Sequence, residues 1–359
     1  MILAYYIQTL NPFIWQWDDT SYGIHWYGMA YLTGFVIAYL LMRKFVRDRR
    51  MRMPPEKLMD FVLFVAIFGV LVGGRLGSAL FYDPHMLIDF SPPFPYWGLL
   101  KLQFGGMSAH GGILGVLITI WLFARWNKLT FLNLVDCSAM VAPIGIAFGR
   151  IANFINGELY GHIWHGALAV QFPTELTMPP SSPAEPTVSA DQVNQLIQNV
   201  LANDPVMQQS PSVMHAMLTN PTAEIVNLAR HQDQYVIAQL REILPPRIPS
   251  QLIEASLEGV LLFVLCYLIG RRWNKDGVAT GAFATLYPIM RIIGEQFRVG
   301  DHPQMIFGFW ISRGVLYSIP MFFLGLAFWI WAIRRRVPVS EIVSAARIQN
   351  HKTESPKNL

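Results

Sequence analysis

Arginine side chains are the residues of this sequence best suited to hold an anion. Arg75, Arg150, Arg291 and Arg298 lie in or at the ends of long apolar runs, on the side of a predicted membrane where other basic residues are few. A guanidinium is a planar fork that can grip two oxygens of a phosphate at once. Any one of them could instead extend towards lipid phosphates. Four on one side predict a bound anion.

A polar stretch at residues 150–161 is the second feature that could carry chemistry. It places Arg150, Asn153, Asn156 and Glu158 directly after an apolar run and ends at Gly161. Polar side chains beside a membrane span are costly unless they pair, line a cavity or serve a function. We interpret the stretch as part of the anion site.

A third polar set lies within one apolar run. Tyr287, Arg291, Glu295 and Arg298 are spaced by four, four and three residues, which keeps them close to one helix face. Such a face cannot point at lipid and must face the bundle interior or a wet cavity. The alternative is a structural ion-pair ladder between Arg291 and Glu295.

His110 is the candidate general base. It stands at the start of an apolar run, at the same predicted depth as the arginines. An imidazole ordinarily titrates near neutral pH, which suits proton transfer. An isolated histidine is more often a satisfied core residue, and its depth is what favours the base. Tyr27 opens the first run at that depth.

Other kinds of site find no support in the residue pattern. The sequence lacks metal-binding HExxH spacing, a phosphate-binding GxxxxGK[ST] loop and a GxSxG nucleophile motif. Both cysteines, Cys137 and Cys266, fall in apolar runs. We predict no metal and no cofactor. The net charge of +4 comes from residues at the ends of apolar runs, so it does not indicate nucleic-acid binding.

The elements that must position these residues are membrane-spanning helices. Of the 359 residues, 53% are hydrophobic and 14% charged, whereas about a quarter of a soluble domain is charged. Apolar runs of about 20 residues match the hydrocarbon thickness. We predict an all-α polytopic membrane protein with seven spans, at residues 24–45, 58–82, 107–126, 131–149, 252–269, 278–297 and 315–333.

Basic residues predict the orientation. Seven lie at the end of the first span and in the short connection after it, and basic loops stay in the cytoplasm. The N-terminus is then extracytoplasmic and the C-terminus cytoplasmic. We divide the chain into spans 1–4 with the polar loop (1–171), an extracytoplasmic head (172–250), spans 5–7 (251–336) and a loose cytoplasmic tail (337–359). The head carries two pieces with helical periodicity, at 193–201 and 225–244.

Several of these stretches together resemble the prolipoprotein diacylglyceryl transferase family. The central one is Gly149–Gly161, GRIANFINGELYG, which is similar to the family's signature loop. The supporting motifs, which span nearly the whole chain outside the head, are His25–Gly28 (HWYG), Gly73–Arg75 (GGR), His110–Gly112 (HGG), Pro249–Leu252 (PSQL) with Glu254, and Tyr287 with Arg291 and Glu295.

The resemblance implies an enzyme of the bacterial inner membrane. Such an enzyme moves the diacylglyceryl group of phosphatidylglycerol onto the lipobox cysteine of a prolipoprotein, forming a thioether and leaving glycerol phosphate. The partners implied are phosphatidylglycerol, the prolipoprotein signal peptide and the lipid bilayer. The implied catalytic residues are His110, Arg150 and Arg291. The implied substrate-binding residues are Tyr27, Arg75, Arg150, Asn153, Asn156, Glu158, Gly161, Tyr287, Glu295 and Arg298.

The sequence departs from the family pattern at four positions. Ala152 stands where the family usually has glycine, His162 where it has arginine, Ile248 where it has histidine and Ile253 where it has tyrosine. The missing histidine at 248 removes one alternative base and makes the mechanism depend more on His110, with Arg247 or His162 as the residues that could compensate. The alternatives are a divergent paralogue, or an anion-binding membrane protein or transporter without this activity.

Overall fold

Helices form most of the chain. The computed structural model describes residues 5–17, 23–92, 95–101, 106–180, 185, 187–273, 275–300, 304–306 and 309–335, and the predicted tail at 337–359 lies outside them. The helices are α1 (Trp26–Arg47), α2 (Pro55–Phe81), α3 (Ala109–Asn127), α4 (Phe131–Asn156), α5 (Ala190–Asn203), α6 (Pro205–Gln209), α7 (Pro211–Thr219), α8 (Pro221–Arg230), α9 (Gln234–Ile243), α10 (Ser250–Arg272), α11 (Val278–Glu295) and α12 (Arg313–Arg334).

The predicted class is confirmed, because six helices in the described part of the chain are long and apolar enough to cross a membrane. They are α1, α2, α3, α4, α10 and α12. The sixth predicted span, at 278–297, corresponds to α11, which is not among the six. It carries Arg291 and Glu295 and packs against α4, α10 and α12. A helix covered by its neighbours can be less apolar than one facing lipid, and the count of seven stays a prediction.

Two of the spans contain a π-helical segment, which is wound more widely than an α-helix. Val65–Val72 of α2 and Ala255–Leu261 of α10 have π-helical hydrogen bonding. Such segments often occur at functional sites, because they change which side chains share a face. The segment in α10 holds Glu258.

Glycines let α2 and α3 approach closely, as their four-residue spacing indicates. A Cβ on Gly77 would lie 2.3 Å from the Cα of Gly111, and one on Gly73 would lie 2.8 Å from the Cα of Gly115. Small residues at such crossings allow backbone contact between membrane helices.

One apolar core lies at the end of the bundle away from residue 150. It joins Phe45 of α1, Phe61 of α2, Phe123 of α3 and Leu134 of α4. At the same end, Asp136 of α4 accepts hydrogen bonds from the backbone nitrogens of Gly277 and Thr280, at 2.8 and 2.9 Å, and so caps α11.

The helices α5 to α9 pack around a core of their own. Leu196, Val200, Ile225, Val236 and Leu240 are all buried in it. Helices therefore form at both pieces of residues 172–250 that show helical periodicity. That this segment is a separate extracytoplasmic head stays a prediction.

Three short strand pairs complete the described chain. Strand β1 (Tyr6–Ile7) lies parallel to β4 (Val170–Gln171), and β2 (Phe13–Gln16) pairs antiparallel with β3 (Gly23–His25). The third pair is β5 (Gln304–Ile306) with β6 (Phe309–Ile311). Strand β3 runs directly into α1, so it fixes where the first span begins.

Candidate functional site

Arg150 and Arg291 lie side by side at one end of the bundle, and two glutamates bridge them. Glu254 contacts Arg150 at 3.1 Å and Arg291 at 2.9 Å. Glu258 contacts the same two arginines at 3.0 and 3.2 Å. Each carboxylate uses one oxygen for each guanidinium. The predicted meeting of the two arginines is therefore present, with carboxylates between them.

Two further charged residues complete the group. Glu295 contacts Arg291 at 2.8 Å, one turn along α11, and Arg298 reaches Glu254 at 3.8 Å. We call the six residues the arginine–glutamate cluster: Arg150, Glu254, Glu258, Arg291, Glu295 and Arg298. Three positive and three negative formal charges balance in it. Both bridging carboxylates have no exposed side-chain surface.

Small residues bring the three helices of the cluster together. A Cβ on Gly259 would lie 2.4 Å from the Cβ of Ala147, which precedes Arg150 by one helical turn. A Cβ on Gly294 would lie 3.3 Å from the Cγ of Glu254. A larger residue at Gly259 would push α10 away from α4 and open the ion pairs.

The polar loop carries a second network next to the cluster. Asn153, in the last turn of α4, donates to Glu158 at 2.8 Å and also bonds the Tyr27 hydroxyl at the start of α1. Asn156 donates to the same Glu158 oxygen at 3.5 Å. The structure thus brings together four of the predicted substrate-binding residues.

Backbone contacts hold the loop in place. Gly157 ends α4 with φ +72, a conformation that favours glycine. Gly161 lies so close to the backbone that follows α11 that a Cβ there would be 2.2 Å from the Phe297 oxygen. Gln8 donates from its side chain to the carbonyls of Phe154 and Ile155, at 3.0 and 2.6 Å. Gly161 therefore has a packing role beside its predicted substrate contact, and Gln8 is a support that the sequence did not indicate.

The four departures from the family pattern lie on or beside this loop. His162 is half exposed, with its Nδ1 3.0 Å from Glu185. Ile248 pairs through its backbone, donating to the His162 oxygen at 3.0 Å and accepting from Gly161 at 2.9 Å. Ala152 is fully buried, and Ile253 lies half-buried in α10. Apolar side chains at 152, 248 and 253 therefore add no charge to the loop.

Arg247 ties the loop to the segment that precedes the helices α5 to α9. It is fully buried and grips both oxygens of Glu175 at 2.6 Å, with Glu185 at 3.1 Å. Its guanidinium lies 5.0 Å from the ring centre of Tyr160, a cation–π contact. Burial raises the pKa of Tyr160 above its ordinary value, so this phenol stays protonated and donates to the Met178 oxygen at 2.6 Å.

His110 lies in the first turn of α3, exposed, between two tyrosines. Its Nδ1 is 3.1 Å from the Tyr82 hydroxyl, and its ring meets that of Tyr317 edge-on at 5.0 Å. Tyr317 belongs to α12, where Gly314, one turn earlier, packs against Arg291: a Cβ there would be 3.1 Å from an Arg291 nitrogen. The first turns of α12 thus contact both His110 and the arginine–glutamate cluster.

Arg75 differs from the other predicted arginines. It is buried, and its guanidinium donates to the backbone oxygens of Leu99, Gly106, Gly98 and Lys101, at 2.8, 2.9, 2.6 and 3.0 Å. These contacts hold residues 98–101 and Gly106 against α2. Its substrate-binding role stays a prediction.

Tyr287 lies one turn before Arg291 on α11, half-buried, with its ring stacked on Phe283 at 5.6 Å.

Within the described residues, no three His, Cys, Asp or Glu side chains are arranged to hold a metal ion.

Glu258 is the charged residue of the cluster that was not predicted from the sequence. It could have been predicted, because a carboxylate within an apolar run is costly unless it is paired. Glu254 and Glu258 are four residues apart in α10, the spacing that also relates Arg291 to Glu295.

Together the fold and the site define a polytopic helical membrane protein with a buried arginine–glutamate cluster at one end of its bundle. The chain belongs to the prolipoprotein diacylglyceryl transferase family, because the sequence model of that family matches residues 12–331. It is 35% identical to the phosphatidylglycerol–prolipoprotein diacylglyceryl transferase of Bdellovibrio bacteriovorus, over 89% of this chain and 92% of that protein. The proteins of the same name from Stenotrophomonas maltophilia and Xylella fastidiosa are 34% and 30% identical, over 88% and 96% of this chain and 90% and 99% of theirs.

Proposed function

We propose that this protein is a transferase that moves the diacylglyceryl group of phosphatidylglycerol to the lipobox cysteine of a prolipoprotein, the first step of lipoprotein maturation. The paired guanidiniums of Arg150 and Arg291, in a chain of this family, are the observation that carries the proposal. Two adjacent forks of this kind suit a phosphate group.

The reaction sets clear demands on the site. The cysteine sulfur attacks the glycerol carbon that bears the phosphate, a C–S bond forms, and the C–O bond breaks with its electron pair going to the phosphate oxygen. A thiol has an ordinary pKa of about 8.5, so a base that takes its proton speeds the attack. The products are a thioether and glycerol phosphate, with the thiol proton left on the base.

His110 is the base in this proposal. The contacts of α12 with both His110 and Arg291 support it, because they bring this histidine and the arginine–glutamate cluster to the same end of the bundle. Arg150 and Arg291 bind the charge that develops on the leaving phosphate. Tyr27, Asn153, Asn156 and Glu158 orient the glycerol headgroup, and Glu295 fixes Arg291.

The family supports a location in the bacterial inner membrane, and the basic residues of the loops support the orientation. In this proposal the N-terminus lies in the periplasm and the C-terminus in the cytoplasm, with the cluster in the outer leaflet. Both substrates are amphiphiles that reach this depth. Residues 172–250 then form a periplasmic head beside the site.

The test uses purified protein, phosphatidylglycerol vesicles and a synthetic lipobox peptide, with mass spectrometry of the peptide as the readout. We expect a mass gain of one diacylglyceryl group, and none with a peptide whose cysteine is replaced by serine. Folded protein that yields no product would refute the proposal and leave an anion-binding or transport role.

His110→Ala tests the base. We expect the rate to fall about 10²–10⁴-fold, the usual contribution of a general base. His215→Ala, in helix α7, is the control and should leave the rate unchanged. Full activity of His110→Ala would remove this histidine from the mechanism while leaving the transferase standing.

A further inference from the structure

The charge balance of the arginine–glutamate cluster bears on which phosphate it holds. Its three arginines face three glutamates, and each described ion pair within it is 3.8 Å or shorter. Phosphatidylglycerol is a phosphodiester with one negative charge. Glycerol phosphate is a monoester, whose second ionisation near pH 6 gives it about −1.5 to −2 at neutral pH.

Glu258 is well placed to control that balance. Its two oxygens contact Arg150 and Arg291, the arginines that would hold the phosphate, at 3.0 and 3.2 Å. It has no exposed side-chain surface, so water screens its charge little. A phosphate between the two guanidiniums would therefore be close to this carboxylate and repelled by it.

We propose that Glu258 is a specificity-determining residue, whose charge makes the cluster prefer the singly charged phosphodiester substrate over the doubly charged phosphomonoester product. The inference rests on the proposed function. Repulsion by one fixed charge grows with the charge of the ligand, so the repulsive energy is about twice as large for the bound product as for the bound substrate. The site thereby releases glycerol phosphate while still holding a lipid headgroup.

The experiment measures two dissociation constants on the full-length protein in detergent, by titration calorimetry. The probes are glycerophosphoglycerol, the soluble diester headgroup, and glycerol phosphate. In Glu258→Gln we expect the dissociation constant of glycerol phosphate to fall roughly tenfold relative to that of glycerophosphoglycerol, an order-of-magnitude value for one unit of ligand charge at the effective dielectric of a buried protein site. The ratio is informative because both probes use the same arginines.

A purely structural role gives a different result. If Glu258 only holds the arginines in position, Glu258→Gln weakens the binding of both probes equally and the ratio of their dissociation constants does not change. That result would overturn the proposal. A shift towards the diester would overturn it too. At about pH 5 glycerol phosphate carries one charge, so the expected shift should disappear there; a shift that persists contradicts the charge argument.

Matched variants separate charge from packing. Glu258→Asp keeps the charge and should keep the wild-type ratio. Asp136→Asn removes a buried carboxylate at the other end of the bundle and should also keep it. Should Glu258→Gln fail to fold, Glu295→Gln removes one charge from the cluster at a residue whose carboxylate contacts Arg291 at 2.8 Å, and the same shift is expected.

Failure of this inference and failure of the proposed function are distinguishable. If the wild-type protein makes the thioether but neither Glu258→Gln nor Glu295→Gln shifts the ratio, only the proposed role of Glu258 is refuted. Wild-type protein that makes no thioether loses the transferase, whatever the binding ratio.

Discussion

Replacing Arg150 by lysine tests whether the bridged geometry stabilises the fold. The guanidinium uses one nitrogen for Glu254 at 3.1 Å and another for Glu258 at 3.0 Å. A lysine ammonium is a single point of charge and keeps one of the two contacts. A hydrogen bond to a charged group contributes about 1.5–3 kcal/mol, and we expect Arg150→Lys to lose about that much stability.

The structure also limits the loss. Glu258 keeps Arg291 at 3.2 Å in this variant, so no carboxylate is left without a cation. The loss should stay below the roughly 3–5 kcal/mol that follows when a buried charge is left unpaired. The same variant should lower the transfer rate about 10²–10³-fold, because a donor to the leaving phosphate is lost.

The assay is reversible unfolding in mixed micelles, followed by circular dichroism. Arg150→Lys, Glu258→Gln and the double variant form a cycle, and contacting residues should show a coupling of about 0.5–3 kcal/mol. Arg125→Lys, at an exposed position on α3, is the control and should change stability by less than about 0.5 kcal/mol. Additivity of the two single changes within about 0.5 kcal/mol would refute the bridged pairing.

Two other regions give stability predictions with the same assay. Gly77→Ala should destabilise the fold by about 1–3 kcal/mol, because the new Cβ would lie 2.3 Å from the Cα of Gly111 and the two helices must separate. Glu175→Gln keeps the shape of the side chain but takes one counter-charge from the fully buried Arg247, at a cost of up to about 3–5 kcal/mol.

Each prediction has a control of the same substitution type at another position. A Cβ on Gly112 has no atom within 4 Å, so Gly112→Ala should be near neutral. Glu242→Gln changes an exposed carboxylate of α9 and should shift stability by less than about 0.5 kcal/mol. Equal stability of Gly77→Ala and Gly112→Ala would contradict the close helix contact. An unchanged Glu175→Gln variant would show that the Arg247 ion pair adds nothing to the fold.

The sequence was sufficient to find the arginines, because a guanidinium next to an apolar run has few tolerable positions. Arg150, Arg291 and Arg298 do share one cluster. Arg75 has the same sequence signature yet bonds four backbone carbonyls. Apolar patterning shows only that a polar side chain must be satisfied, and the partner depends on a loop whose path cannot be deduced from residue types.

Helix winding was a second limit on predicting the site from the sequence. Glu254 and Glu258 lie at the start of a span whose π-helical segment turns side chains away from regular α-helical positions. Hydropathy periodicity assumes the regular turn, so it cannot tell which helix a carboxylate faces. A different limit applies to α11, where small residues and charges replace part of the apolar surface that marks a lipid-facing helix.

The parallel pairing of β1 with β4 has a consequence for biosynthesis. Tyr5 contacts His165, 160 residues later in the chain, and Gln8 bonds the carbonyls that end α4. At about 5–20 residues per second, the ribosome needs roughly 8–32 s to make that length. The first strand therefore waits, already translated, until four helices have been inserted. Completion of the signature loop is thus a late event, timed by the arrival of the chain that follows it.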